Sequence, residues 1–320
     1  MNAHPEVLCC GIVVADHVCT PIARLPEAGE LVMADSMLLS SGGCAANAAV
    51  DLAKMGVRAA VVGRVGDDMF GGVIADMLKH GDVDVSSLKV TPGADTSQTL
   101  IVNVVGQDRR FIHTFGANGQ FQAADIPLDR LDHCKILYLG GYLVMPKILQ
   151  EELVPIFARA RQKGVATLLD VVTPGPGDYL PLLDRLLPHV DVFLPNNHEA
   201  ELICGEKDPL RQAEFFLRLG AKTAVITMGA EGAVLASEHT RLRAAAYPVD
   251  FVDGSGGGDA FDAGFIYGLL GKQGPAACLR VASALGASCV RTIGTTPGVF
   301  TRSECEAYMA QNPLRVEEIQ

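Results

Sequence analysis

Apolar residues in this chain come in short unbroken runs separated by longer stretches of helical periodicity. Residues 7–15 are all apolar or glycine, as expected of a strand covered on both faces of a parallel sheet. Similar runs at 59–63, 136–139, 165–170, 190–194 and 224–227 predict further strands. Between them the spacing predicts helices over 44–56, 69–80, 148–163 and near 179–187. Two more helices are predicted at 276–291 and 302–311, with a loop at 294–298. Strand and helix alternating at this interval imply βαβ units. The expected fold class is therefore α/β, with a mostly parallel central sheet.

Two segments break the rhythm. Residues 17–41 carry Pro21, Pro26 and Gly29 between short β-leaning pieces, and 97–115 read as a hairpin turning at Gly106-Gln107-Asp108. Together they predict a small β-sheet outside the main one, which could act as a lid that keeps water from a reaction. A last hairpin is expected where Met228 to Gly232 turn the strand at 224–227 into 233–236. No linker divides the chain, so residues 1–320 are expected to form a single domain.

Composition narrows the classes of function. With 49% apolar residues, 20% charged and no uncharged apolar run of 18, the chain is expected to be soluble, without a membrane partner. The first residues, Met1 to Pro5, show no basic region before an apolar run, against a secretory signal. The net charge of −11 argues against nucleic acid as a partner. Nine cysteines without a C-x-x-C pair read as free thiols, against zinc ligation and in favour of a cytoplasmic location.

The chemistry concentrates at residues 249–261, a β-leaning run ending in Gly254-Ser255-Gly256-Gly257-Gly258 and Asp259. Phe261, Phe265 and Leu269 then recur every fourth residue, so the glycines sit at a helix N-terminus. Unpaired N–H groups and the positive end of the helix dipole converge there, and residues without Cβ let an anion approach. An acid beside an anion hole suits phosphoryl transfer to an alcohol, with Gly256, Gly257 and Gly258 holding the phosphoryl and Asp259 taking the hydroxyl proton. The dipole should keep Asp259 ionised. The plainer alternative is a flexible turn with Asp259 as a cap. A dinucleotide fingerprint fits worse, for its third glycine is missing.

Other positions offer binding groups. Asp16, at the end of the first run, could accept hydrogen bonds from a polyol, or simply start a loop. Gly42, Gly43 and Asn47 open a helix and could bring N–H groups and an amide to a ligand. Cys44 in the same turn is expected either to have its thiolate stabilised and reactive or to lie buried and inert. Asn196 and Glu199, three apart at a helix start, offer hard oxygens for Mg2+, through waters, or form a capping box. Arg110 in the hairpin could swing over the acceptor or the phosphates, or be a solvated strand charge.

The ordered set of motifs resembles the PfkB (ribokinase-like) carbohydrate kinase family over nearly the whole chain. Gly42-Gly43-Cys44-Ala45-Ala46-Asn47 is similar to the family's G-G-x-x-x-N, and residues 253–261 resemble D-T-T-G-A-G-D-A-F. Residues 63–71, Asn196-x-x-Glu199 and 227–232 fall between them in the family's order. The resemblance implies a three-layer α/β/α sandwich with a mostly parallel central sheet and a small β-sheet lid, and ATP-dependent phosphorylation of a hydroxymethyl group of a sugar, with Asp259 as base. It implies Asp16, Gly42, Gly43, Asn47 and Arg110 on the acceptor, and Asn196, Thr227, Gly229, Gly232 and Ser255 on the nucleotide. Glu199 would organise Mg2+, and Asp253 would border a monovalent cation site, leaving K+ open. A nucleoside kinase and a catalytically silent ligand-binding relative are the alternatives, and a homodimer through the lid is open.

Departures from the pattern bear on the acceptor. Cys44 replaces the lysine of ribokinases, Val14 an Asn and Gly140 a Glu. Losing such groups from a buried polyol site costs roughly 1–3 kcal/mol each, which disfavours ribose. The missing lysine also disfavours a phosphorylated sugar. The two threonines after Asp253 are here Gly254 and Ser255.

Overall fold

The computed structural model describes residues 4–107 and 109–319. Met1 to Ala3 of the expected leaderless start and Asp108 of the expected hairpin turn lie outside the described residues.

In chain order the strands are β1 (Val7–Gly11), β2 (Val14–Ile22), β3 (Met37–Gly42), β4 (Ala59–Gly66), β5 (Asp84–Thr91), β6 (Gln98–Val104), β7 (Arg110–Thr114) and β8 (Ile136–Gly140). There follow β9 (Ala166–Leu169), β10 (Val192–Phe193), β11 (Thr223–Thr227), β12 (Ala233–Ser237), β13 (Arg241–Ala244) and β14 (Val316–Glu318). The helices are α1 (Cys44–Lys54), α2 (Met69–His80), α3 (Leu128–Leu131), α4 (Gln150–Gln162), α5 (Asn197–Cys204), α6 (Pro209–Arg218), α7 (Gly257–Leu270), α8 (Pro275–Cys289) and α9 (Arg302–Gln311).

Among the described residues ten strands form one sheet, in the order β14-β13-β12-β11-β10-β9-β8-β1-β4-β5. From β11 to β5 neighbours run parallel; β12, β13 and β14 close one edge antiparallel. The side-chain alternation of β1 divides the core. Val7 and Cys9 face α1, α2, α7 and α8, whereas Leu8 and Cys10 face α4, α5 and α6. This is the expected α/β/α sandwich. The second sheet, β3-β2-β6-β7, is the expected lid with a small core of Cys19, Ile22 and Val104.

Four local expectations are corrected. The run at 7–15 is two strands, because the Asn118 side chain takes both backbone groups of Val13, at 3.1 and 2.9 Å, away from the main sheet. Asp16 therefore belongs to the lid strand β2, opposite Ser40 and Thr99. The helix predicted near 179–187 is two short 3-10 turns at Leu180–Leu182 and Leu187–His189, each holding a proline (Pro181, Pro188) that has no N–H to extend it. The β-leaning run before the central glycines is no strand. The Val252 and Asp253 amides both donate to the Val290 carbonyl after α8, at 2.9 and 3.2 Å, so no strand partner holds them.

Candidate active site

Helix α1 and helix α7 meet N-terminus to N-terminus beneath the lid, each started by glycines. Gly42 comes so close to Asp16 that a Cβ there would sit 1.8 Å from its Oδ2. Gly43 follows as the N-cap of α1. At α7 the N-cap is Gly256, with φ at 77° and the Thr295 carbonyl oxygen only 2.1 Å from where its Cβ would be. Gly257 and Gly258 form the first residues of α7, where helix geometry leaves the leading N–H groups without partners inside the helix; that of Gly257 makes only a long bond, 3.3 Å, back to the Gly254 carbonyl.

Asp259, in the first turn of α7, accepts a hydrogen bond from Asn47 Nδ2 at 2.7 Å. Cys44 Sγ, an Asp170 oxygen and an Asp259 oxygen lie within 4.8 Å of one another. Burial raises the Asp259 carboxyl above the usual carboxylate range, against the lowering by Asn47 and Cys44. Desolvation thus opposes the ionisation that the helix dipole is expected to favour. Of the two alternatives for Cys44, the structure favours the buried, inert one. Burial, then Asp259 and Asp170, push its thiol well up, so the helix terminus does not yield a reactive thiolate.

The surroundings are acidic. Asp170, Asp262 and Glu199 are raised first by burial and then by one another and by Asp259, with Glu199 pushed up to about 7. Their donors are neutral: Tyr138 Oη to Asp262 at 2.9 Å, Gly141 N to Asp170 at 3.4 Å and Asn196 N to Glu199 at 2.9 Å. Asp16 is pushed up to about 7, first by burial, while Thr99 lowers it and Asp259 and Asp253 raise it.

Among the residues expected at the nucleotide, Asn196 bridges to Thr227, so β10 and β11 end side by side. Asn196 and Glu199 cap α5 reciprocally, at 2.9 Å in each direction, which is the capping-box reading. Gly229 begins a 3-10 turn and Gly232 closes it by accepting from Met228 N at 2.8 Å. Ser255 is buried with no partner on its Oγ. Asp253 turns both oxygens inward, to Ser255 N at 2.9 Å and Gly294 N at 3.1 Å. The turn is held from beneath by Lys54, whose Nζ grips the Thr296 carbonyl at 2.5 Å and that of Val299 at 3.3 Å.

Arg110 is not brought to the site. It is exposed, and its guanidinium binds the Gln107 side chain at 2.6 Å. Its neighbour Arg109 instead lies against Gly254.

A family model described as pfkB family carbohydrate kinase matches residues 5–302. The chain belongs to the pfkB family of carbohydrate kinases. This kinase is 28% identical over 287 residues to the ribokinase of Bacillus subtilis, covering 90% of this chain and 94% of that one. It is 29% identical over 271 residues to the fructokinase of Rhizobium leguminosarum bv. trifolii, covering 82% and 79%. The structure of Arabidopsis thaliana ribokinase complexed with ribose and ATP superposes with a TM-score of 0.80 at 25% identity, covering 95% of this chain and 98% of that one. No helix among the described residues of the kinase is long and apolar enough to cross a membrane.

Sequence reading passed over Asp170, Asp262 and Tyr138. Asp170 directly follows the apolar strand β9, and an acid at a strand's carboxyl end is a readable signal. Asp262 stands three residues after Asp259 on one helical face, which was equally readable. Tyr138 gave none, being one apolar position among several in β8.

Proposed function

We propose that this sugar kinase uses Asp259 as the general base that takes the proton of an acceptor hydroxymethyl group. The acceptor oxygen then attacks the γ-phosphorus of ATP, the bond to the bridging oxygen breaks, and ADP leaves with the electron pair. The single supporting observation is the Asn47–Asp259 hydrogen bond, which fixes a half-buried carboxyl group at the open N-terminus of α7. Gly256, Gly257 and Gly258 face the transferring phosphoryl with the leading amides of that helix. Asp16, with Gly42, Gly43 and Asn47, binds acceptor hydroxyls. Asn196, Thr227, Gly229, Gly232 and Ser255 line the nucleotide.

Mg2+ fits this donor set, because Asp170, Glu199, Asp259 and Asp262 present hard oxygens that repel one another. Glu199 would hold the ion through water, and it would supply neutralisation of phosphate charge. Asp253, with both oxygens engaged by turn amides, borders the site assigned to K+.

The acceptor is a neutral sugar with few polar groups beyond the reacting end. Val14 and Cys44 are buried and apolar, and at Gly140 a Cβ would meet Cys44 Cβ at 2.7 Å and Tyr138 Oη at 2.8 Å, so this corner is already filled. ADP release measured against neutral sugars, phosphorylated sugars and nucleosides tests the reading. Preference for a nucleoside would replace the sugar, and no turnover with any acceptor would favour a silent relative. A homodimer joined at β7, a lid edge strand exposed throughout, belongs to the same reading and is checked by sedimentation.

A further inference from the structure

The lid carries two adjacent arginines, Arg110 opening β7 and Arg109 immediately before it, and they go different ways. Arg110 goes to the outer surface. Arg109 reaches down to the turn that leads into α7. A Cβ on Gly254 would stand 2.5 Å from Arg109 Nη1, 3.1 Å from Cζ and 3.3 Å from Nη2. The guanidinium therefore takes the space that a side chain at 254 would need, with Nη1 nearest the glycine. The Phe111 ring, 5.3 Å from Cζ, supports it from the lid side.

Gly254 is one of the two positions where threonine of the family pattern is missing. With any larger residue at 254 the arginine head could not occupy this place. The missing side chain and the arginine thus form one feature, a notch and the group that fills it. The notch sits next to the proposed anion hole, since the Gly254 carbonyl accepts from Gly257 N at 3.3 Å.

The charge balance gives the feature a purpose. The corner holds Asp16, Asp170, Asp253 and Asp259, and a triphosphate would add more negative charge. The amides of a helix end supply only about half a unit of positive charge. Arginine supplies a full one at every working pH, in a fork that matches phosphate oxygens.

We propose that Arg109 contacts the transferring phosphoryl group from the lid side and neutralises charge developing on it. This rests on the kinase reading above, and it adds a catalytic residue carried by the lid. Closure of the lid would then exclude water and complete the charge balance in one movement.

The test compares wild type, Arg109→Ala, Arg109→Lys and Gly254→Thr in steady-state ADP release, with thermal melts to confirm folding. Arg109→Ala should lose about 100-fold or more in kcat while the acceptor KM stays within a few-fold. Arg109→Lys should recover only part, and added guanidinium ions should raise the kcat of Arg109→Ala but not of wild type. Gly254→Thr, which leaves the arginine in the chain but fills its notch, should fall in kcat as well. A kcat of Arg109→Ala within about threefold of wild type, or a loss confined to the acceptor KM, overturns the proposal. If Arg109→Ala does not fold, Gly254→Thr with wild-type kcat overturns it instead. Failure of wild type to turn over any acceptor would count against the kinase reading, which separates the two.

Discussion

Asn47 Nδ2 donates to Asp259 Oδ2 at 2.7 Å, joining the first turns of α1 and α7 across 212 positions of sequence. The bond lowers a carboxyl that burial raises, so it sets the pH at which the base is free. Asp259 must be deprotonated to act, so kcat/KM should rise with pH through an apparent pKa above the ordinary Asp value of about 3.9. In Asn47→Leu the lowering bond is gone. The acid limb should move to higher pH and kcat/KM at pH 6 should fall by about tenfold or more. A pH profile of the two proteins checks this; an unmoved limb would separate Asn47 from the base.

Gly256 should tolerate no side chain. Its φ of 77° and the Thr295 carbonyl 2.1 Å from a Cβ position leave neither conformational nor spatial room. Gly256→Ala should lose more than about 1 kcal/mol of stability and displace the N-terminus of α7, seen as a lower melting temperature and weaker ADP release.

Alkylation should pass Cys44 by. Its thiol is buried and pushed well above the ordinary range, whereas Cys204 is half-buried. Peptide mapping after limited iodoacetamide treatment should find Cys204 modified first, at a rate indifferent to acceptor. Rapid labelling of Cys44 that acceptor blocks would restore the reactive-thiol expectation.

Stability should fall as pH rises across the acidic range. Asp16 and Glu199 are pushed up to about 7 in the folded chain, whereas the unfolded values are about 3.9 and 4.3. Between those values the folded state binds more protons, so the term is full below about pH 4 and lost by about pH 7. Carboxyls held low by partners, such as Asp125 with Arg64, act with the opposite sign and only below about pH 4. The melting temperature without Mg2+ should therefore drop by about 2 °C or more from pH 5 to pH 8. Asp16→Asn with Glu199→Gln should flatten the slope.

Much of this was readable in the chain. The apolar runs of β1, β4, β8 and β11 and the periodic α2 and α9 carried the sandwich, because buried parallel strands and amphipathic helices write their period into sequence. β5, an edge strand of mixed polar residues, and the short β13 and β14 did not show, since strands at or near a sheet edge take their order from the neighbour. α6, begun by Asp208 and Pro209, was passed over although its cap accepts from Arg211 N at 3.0 Å. At the site, glycines and acids marked the two helix starts, but which of two adjacent arginines turns inward depends on lid register. The rise of the acids was also hidden, because it comes first from burial and then from neighbouring acids such as Asp262 and Asp259, which stand far from Asp170 in sequence and close to it only when folded.

The most direct measurement is ADP release by Asp259→Asn beside its affinity for a nonhydrolysable ATP analogue. Asparagine keeps the shape and removes the proton acceptor. kcat should fall by about 10²–10⁴-fold while analogue binding stays within a few-fold of wild type. A variant that turns over at the wild-type rate would show that residue 259 does not take the acceptor's proton, and the mechanism would fail.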